Sequence, residues 1–459
     1  MSTKGFSLLR RSRDTDMTTG NVAKHLILFA LPLIAGNLFQ QLYNMVDTWV
    51  VGNFVSDEAF SAVGTVAPVI NVLIFFFMGL ANGCGVVISQ FFGAQNKETV
   101  RRAVHSAILM TFGLSILFTV IGVSGVPLML RIMKTPADVF PDQKLYLQIY
   151  FSGIAAMLFY NMGAGILRAV GDSTRPFFFL VTASLTNIVL DLVFVIWFGM
   201  GVEGVALATI LSQALSAILV LRTLFTTDSV VRITMKEMKM DWQLLRKMVL
   251  IGLPAAIQSA ITSFSNVFVQ SYINQFGKEA MGGWTVYAKV DAINFLPIQS
   301  LQMSAMTFVG QNLGRNQVER AKKGANTALA IAVSCTVVTT IIIMVFAPQI
   351  VWFFNKNEDV LFYGVLLMRR LVPFQPVCAV TQVYAGALRG SGDSKAPMYI
   401  MLLSYVVFRQ VYLFVVSNFI VNEFLPLAAA YPAGWILCAV ITFVYYRHTD
   451  FGAKRVTAS

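Results

Sequence analysis

Gly165-Ile-Leu-Arg-Ala-Val-Gly-Asp-Ser-Thr-Arg-Pro176 returns in the second half of the chain as Gly386-Ala-Leu-Arg-Gly-Ser-Gly-Asp-Ser-Lys-Ala-Pro397. Gly, Leu, Arg, Gly, Asp, Ser and Pro recur in register. Working outward, Leu31-Pro32 matches Leu253-Pro254, Glu98 matches Glu319, and Arg101-Arg102 matches Lys322-Lys323, at the same offset or one residue more. The chain is two copies of one unit. Each repeated segment reads as a turn in which Gly supplies a positive φ and Asp or Ser caps the next helix ahead of Pro. A second reading makes Arg168 and Arg389 latches on the inner face.

The copies are built for lipid. Of 459 residues, 57% are hydrophobic and only 12% charged, and apolar runs of about 20 residues, enough to cross a bilayer, recur along the chain. The expected fold is an all-α polytopic membrane protein with about twelve transmembrane helices in two pseudo-symmetric six-helix lobes. The spans fall near 26–51, 59–91, 101–124, 144–167, 177–198, 202–221, 247–273, 281–310, 323–346, 361–388, 398–420 and 425–446. This gives an N-terminal lobe (1–221), an inter-lobe linker (222–246), a C-terminal lobe (247–446) and a tail (447–459). Pro32, Pro68, Pro254, Pro297 and Pro373 mark kinks that neighbouring helices must compensate. Residues 1–25 are polar and basic, and the first apolar run is too long and too rich in Asn and Gln for a cleavable signal peptide.

Lys and Arg alternate between the two sides. With a cytoplasmic N-terminus, 25 of the 34 fall in inside segments and five in outside loops. Both termini are therefore expected in the cytoplasm, with the chain in the inner or plasma membrane. The net charge of +12 is then a topology signal and implies no nucleic-acid partner. The basic stretch 222–247 is expected to lie against anionic headgroups.

Cys84, Cys335, Cys378 and Cys438 lie inside apolar runs without paired spacing, and His25, His105 and His448 share no ligand spacing. Neither a disulfide framework nor a metal cluster is expected. No phosphate-binding loop or nucleophile–base arrangement is visible, so the chain reads as no enzyme and needs no cofactor. In a chain this apolar, the duplication points to a secondary transporter whose two halves move about a central site.

Ionisable groups inside a membrane are costly and are functional candidates by default. Asp47 ends a polar stripe of Gln40, Tyr43 with Asn44, and Asp47, spaced for one helix face. Ser184, Asn187 and Asp191 repeat that spacing on the fifth span, and Thr209 with Gln213 continues it on the sixth. At about 1.5 Å of rise per residue, Asp47, Asp191 and Thr209 all lie roughly 7–12 Å below the outer surface. Oxygen-rich groups at one depth suit a small hard cation or a proton, and two neighbouring carboxylates would titrate as a coupled pair. The competing reading, hydrogen bonding between packed helices, is strongest for Asn187 and Thr209.

These motifs together resemble the multidrug and toxic compound extrusion (MATE) family of cation-coupled efflux transporters. The resemblance rests on Pro32-Leu-Ile-Ala-Gly-Asn-Leu-Phe-Gln-Gln-Leu-Tyr-Asn-Met-Val-Asp-Thr-Trp-Val-Val-Gly52, on Gln90-Phe-Phe-Gly-Ala-Gln95, on Gly310-Gln-Asn-Leu-Gly314 and on the paired turns. It implies two lobes forming a V around a central cavity open alternately to either side. It also implies antiport of amphipathic, chiefly cationic, drugs or metabolites against Na+ and/or H+. The family's cation site carries over to Asp47, Asn187, Asp191 and Thr209, with Na+ the only metal it would take. The polar lining carries over to Gln40, Tyr43, Asn161 and Ser184.

The C-terminal half departs from the pattern. Some branches place a Glu in the seventh helix, where this chain has Gln258 and Thr262. Instead it carries Lys289 and Asp291 in the eighth span and Arg409 in the eleventh. Asp291 and Arg409 both approach the midplane. They read either as a buried structural ion pair or, with Lys289, as lining of the substrate cavity. The expected partners are small amphipathic substrates and membrane lipids, with the chain a monomer. A lipid-linked precursor flippase of the same superfold is the alternative, but its anionic headgroup would call for several cavity Arg or Lys.

Overall fold

The computed structural model describes residues 14–54, 57–133, 135–137 and 139–458, without the side chains of residues 47–49, 51–53, 57–69 and 458. These residues form helices and turns, with no strand among them. In chain order the helices are α1 (Val22–Phe54), α2 (Asp57–Gly93), α3 (Lys97–Ile132), α4 (Phe140–Ser152), α5 (Ile154–Ala169), α6 (Thr174–Leu192) and α7 (Val202–Thr226). The second copy supplies α8 (Trp242–Asn274), α9 (Lys278–Gly314), α10 (Val318–Phe354), α11 (Glu358–Leu371), α12 (Gln375–Ser391), α13 (Lys395–Leu402), α14 (Arg409–Val415), α15 (Phe424–Ala428) and α16 (Ala430–His448).

Among the described residues, ten helical runs are long and apolar enough to cross a membrane, and α4 with α5, bent by 46°, makes an eleventh. The remaining long helix, α9, spans 37 residues but carries Lys289 and Asp291 and is less apolar. Pro32, Pro254 and Pro297 lie within α1, α8 and α9. Pro373 instead sits in a 3₁₀ turn, Val372–Phe374, that divides the tenth span into α11 and α12.

The chain packs as two units. One holds residues up to Asp16 and Ala35–Val249; the other holds Met17–Ile34 and Leu250–Ser459. The division inside α1 falls just after Pro32, where the missing backbone hydrogen bond loosens the helix. Val22, Leu26, Phe29 and Ala30 thus share a core with Ile298, Leu301, Ala305 and Phe308 of α9 and Ala379 and Val383 of α12. The first unit's core joins Phe77 and Leu80 of α2, Leu130 of α3, Leu147 of α4, Met157 of α5 and Val205 of α7.

Lipid gives little hydrophobic drive between helices, so close contact depends on small residues. A Cβ on Gly386 or Gly390 of α12 would lie 2.4 Å from the carbonyl oxygen of Gln302 or Met306 on α9. In the first unit, a Cβ on Gly153, at the bend between α4 and α5, would lie 2.5 Å from Ile210 of α7. These glycines seat α12 on α9 and α7 on the α4–α5 break.

The duplicated turns behave as their residues require. Gly171 and Gly392 hold φ of +84° and +105°. Asp172 accepts the N–H groups of Thr174 (3.1 Å) and Arg175 (3.0 Å), and Asp393 accepts that of Ala396 (3.2 Å). Different segments cover the two turns. Thr15 donates its N–H to the Val170 carbonyl (2.9 Å) in the first. In the second, Lys454 reaches Asp393 at 3.1 Å, and that carboxylate raises the Lys454 ammonium above its usual pKa.

The segment between α7 and α8 is folded onto α3. Val231 and Ile233 are buried while Arg232, Lys236 and Lys239 face outward. Thr234 donates its N–H to His105 Nε2 (3.2 Å), and Asp241 donates its N–H to Ser106 Oγ (2.9 Å). Burial pushes the Asp241 carboxyl up. The N–H groups of Leu244 and Gln243 and the ion pair with Arg102 outweigh that and hold its pKa below the usual value.

Candidate ion and substrate sites

In the first unit, α6 presents Ser184, Asn187 and Asp191 on one buried face. Asp191 is 1% exposed and Asn187 likewise. With its amide turned to satisfy both ends, Asn187 donates to Asp191 Oδ2 (2.9 Å) and accepts the backbone N–H of Thr209 (3.3 Å). The Thr209 hydroxyl donates to the Val205 carbonyl (3.0 Å), leaving its lone pairs available as acceptors. The structure therefore brings Asn187, Asp191 and Thr209 together. The Asp47 backbone continues α1, and its side chain lies outside the described residues.

The expected lining residues differ among themselves. Gln40 is exposed and Tyr43 half-buried on α1. Asn161 spends an amide N–H on the Met157 carbonyl of its own helix (2.9 Å). Ser184 is buried one turn inward of Asn187.

In the second unit, the ion pair expected between Asp291 and Arg409 is not formed. Asp291 accepts the Tyr287 hydroxyl (3.3 Å) and the Gln375 amide N–H. Arg409 turns to α8, donating to Ser265 Oγ (3.1 Å) and Asn266 Oδ1 (2.7 Å), with its guanidinium 4.7 Å from the Tyr431 ring centre. Neutral amide and hydroxyl groups packed directly against each charge take the place of the opposite ion. Tyr431 also touches Trp284, which touches Tyr287, so an aromatic row separates the two charges. Lys289 stands apart, exposed, its Nζ 5.7 Å from the Phe354 ring centre.

Gln375, Tyr287, Ser265, Asn266 and Tyr431 were not singled out from the sequence. A signal existed for Asn266, which answers to Asn44 in the register that pairs Leu31-Pro32 with Leu253-Pro254. Gln375 had none, because its role depends on α12 lying against α9.

The model of the MatE family matches residues 32–193 and 254–415, one match in each copy. The chain belongs to the MatE family, and so is a multi-pass membrane transporter and not an enzyme. It is 27% identical over 441 residues to the probable multidrug resistance protein YpnP of Bacillus subtilis, covering 96% of this chain and 98% of that protein. The probable multidrug resistance protein NorM of Thermotoga maritima is 25% identical, over 83% of each chain. Among solved structures, the outward-facing conformation of a multidrug resistance MATE family transporter superposes with a TM-score of 0.90 at 24% identity, covering 97% of this chain and 99% of that one. That likeness supports the two-lobe fold.

The two family matches begin and end 222 residues apart, 32 with 254 and 193 with 415, although the paired turns between those ends lie 221 apart. At the 222-residue offset Asp47 corresponds to Val269 and Asp191 to Leu413. Val269 and Leu413, both fully buried, share one apolar cluster in the second unit.

Proposed function

We propose that the protein is an ion-coupled antiporter that exports amphipathic, chiefly cationic, drugs or metabolites by alternating access. Asp47, Asn187, Asp191 and Thr209 bind the coupling Na+ or H+. The observation that carries this reading is Asp191, a carboxylate 1% exposed inside a membrane-spanning helix, hydrogen-bonded by Asn187 beside Thr209. Such a group is costly to keep in lipid unless an ion or proton answers it. The shared apolar cluster of Val269 and Leu413 supports placing Asp47 near Asp191, because the same helices of the repeat bring their counterparts together.

Relatives named as multidrug resistance proteins support drug export over transport of a lipid-linked precursor. A potential of 100 mV supplies about 2.3 kcal/mol per charge and a tenfold ion gradient about 1.4 kcal/mol, enough for concentrative export. The protein acts as a monomer in the plasma membrane with both termini in the cytoplasm, and of these the Lys and Arg distribution supports the placement of the termini.

The test is reconstitution into vesicles with imposed Na+ or H+ gradients, following a fluorescent cationic dye. Uphill dye movement driven by one gradient is expected. Dye movement that needs neither gradient overturns the antiport reading.

A further inference from the structure

The second copy has turned the ion site of the first into its electrostatic opposite. At the 222-residue offset of the family-match ends, Asn187 is replaced by Arg409 and the two acids become Val269 and Leu413; Tyr431 lies beyond the matches, in the last span of its copy as Thr209 lies in the last span of the first. The same three helices of the repeat contribute. In the second unit, however, the central charge is a guanidinium and both carboxylate positions are buried aliphatics.

Backbone geometry shows how Arg409 reached that position. In the paired turns Pro176 answers to Pro397, whereas at the ends of the family matches Val193 answers to Val415. The second copy has therefore gained one residue between Pro397 and Val415. A π-helical turn, Leu403–Phe408, directly precedes Arg409, whereas in the first copy α6 is regular from Thr174 to Leu192 and its π-helical turn comes after the site residues, at Val193–Trp197. One added residue inside a helix produces such a turn, and these turns recur at functional sites.

Arg409 is 3% exposed, yet among the described residues no carboxylate forms an ion pair with it. Its contacts are neutral: Ser265 Oγ, Asn266 Oδ1 and the Tyr431 ring. Its Nε has no hydrogen-bond partner among the described residues. An uncompensated guanidinium in a membrane helix is expensive, and packing alone would be served as well by an apolar side chain. The partner at 2.7 Å, Asn266, is itself exposed. It belongs to a polar face of α8, with Ser259, Ser263, Gln270 and Asn274, that is half-buried or exposed throughout. Rotating one amide side chain opens the guanidinium to that face.

We propose that Arg409, with Ser265 and Tyr431 and covered at rest by Asn266, forms an anion-recognition site that takes the carboxylate or phosphate group of an amphipathic molecule in transit. A planar guanidinium forks onto such a group with two parallel hydrogen bonds. Tyr431 and the apolar residues of α8 receive the organic remainder. The role in export rests on the antiport reading above; binding at the site does not, and it is measured without a gradient.

The experiment uses the purified full-length chain in an uncharged detergent. The probes are 4-methylumbelliferyl phosphate, its neutral parent 4-methylumbelliferone, inorganic phosphate and tetraphenylphosphonium. The aromatic phosphate should bind saturably and more tightly than either the neutral parent or inorganic phosphate. Arg409→Gln should weaken it at least about tenfold, with tetraphenylphosphonium binding not weakened, since loss of the guanidinium can only relieve repulsion of a cation. Asn266→Ala, which uncovers the guanidinium from the exposed side, should tighten it several-fold.

Unchanged affinity in Arg409→Gln overturns the site. Equal affinity for the neutral parent, or for bare phosphate, overturns the assignment to an anionic amphiphile. If Arg409→Gln fails to fold, Asn266→Ala decides, and no gain in affinity there counts against the proposal. Failure of ion-driven dye efflux with these binding results intact would sink the antiport reading alone.

Discussion

One unit holds a carboxylate braced by an amide on α6 beside α7, and the other a guanidinium on α14 braced by a hydroxyl and an amide of α8. Asp191 answers to Asn187 and Thr209, whereas Arg409 answers to Ser265, Asn266 and Tyr431. Duplication supplied two related scaffolds and left the charge free to diverge, with neutral groups within hydrogen-bond reach of the charge in each.

The largest effect should fall on the acidic site. Asp47→Asn and Asp191→Asn are each expected to abolish gradient-driven efflux while leaving folded protein in the membrane. Wild-type concentrative efflux by either variant, measured in vesicles, removes that carboxylate from coupling. If Na+ is the ion, the Asn187 amide must turn its oxygen inward, and Asn187→Asp should raise Na+ dependence, which a purely proton-driven exchanger would not show.

Smaller losses should appear at the paired turns, where the copies remain alike. Gly171→Ala and Gly392→Ala force a side chain into positive φ and place a Cβ 2.6 Å from the Thr15 carbonyl oxygen or 2.8 Å from that of Lys454. Each should lower stability by about 1–3 kcal/mol, read by thermal unfolding in detergent. A loss at one turn only would show that the covering segments, which differ, dominate over the shared backbone.

Asp291 and Arg409 offer a sharper comparison inside the second unit. Each has its own neutral partners, so stability losses for Asp291→Asn and Arg409→Gln should add within about 0.5 kcal/mol in the double variant. Coupling above about 1 kcal/mol would reveal that they pair in another conformation, as their shared depth suggested.

The smallest effects concern pH at the Asp241 and Lys454 ion pairs. Asp241 has a depressed pKa, so its contribution is present at neutral pH and is lost as pH falls through its folded value, below the usual carboxylate range. Lys454 has a raised pKa, so the tail's hold on Asp393 is complete below the usual lysine value and is lost as pH rises through the folded one. Proteolysis of linker and tail against pH reads the two separately. Arg102→Gln should move the acid limb alone, and Lys454→Gln the alkaline limb alone.

Much of this was legible in residue types and spacing. Asn187 and Asp191 stand four residues apart on a helix, so their meeting needs no tertiary information. Positive φ at Gly171 and Gly392, and capping by Asp172 and Asp393, follow from local backbone chemistry. Thr209 joined them by a depth estimate, which works because helices in a bilayer share one ruler.

Depth failed for Asp291 and Arg409 because it fixes height and leaves direction open. Which way each side chain turns depends on α12 sitting tightly on α9 at Gly386 and Gly390, which delivers Gln375 to Asp291, and on the π-helical turn before Arg409. Likewise, chain order places all of α1 in the first copy, but Pro32 lets its inner half pack with the second unit. The sequence by itself determined the duplication, the membrane class, the approximate run of spans and the pairing of Asn187 with Asp191, because hydropathy, helical period and turn chemistry are local properties. Only the tertiary structure decided which neutral groups brace each buried charge, because hydrogen bonding in a low-dielectric interior is settled within a few ångströms by contacts between helices far apart in the chain.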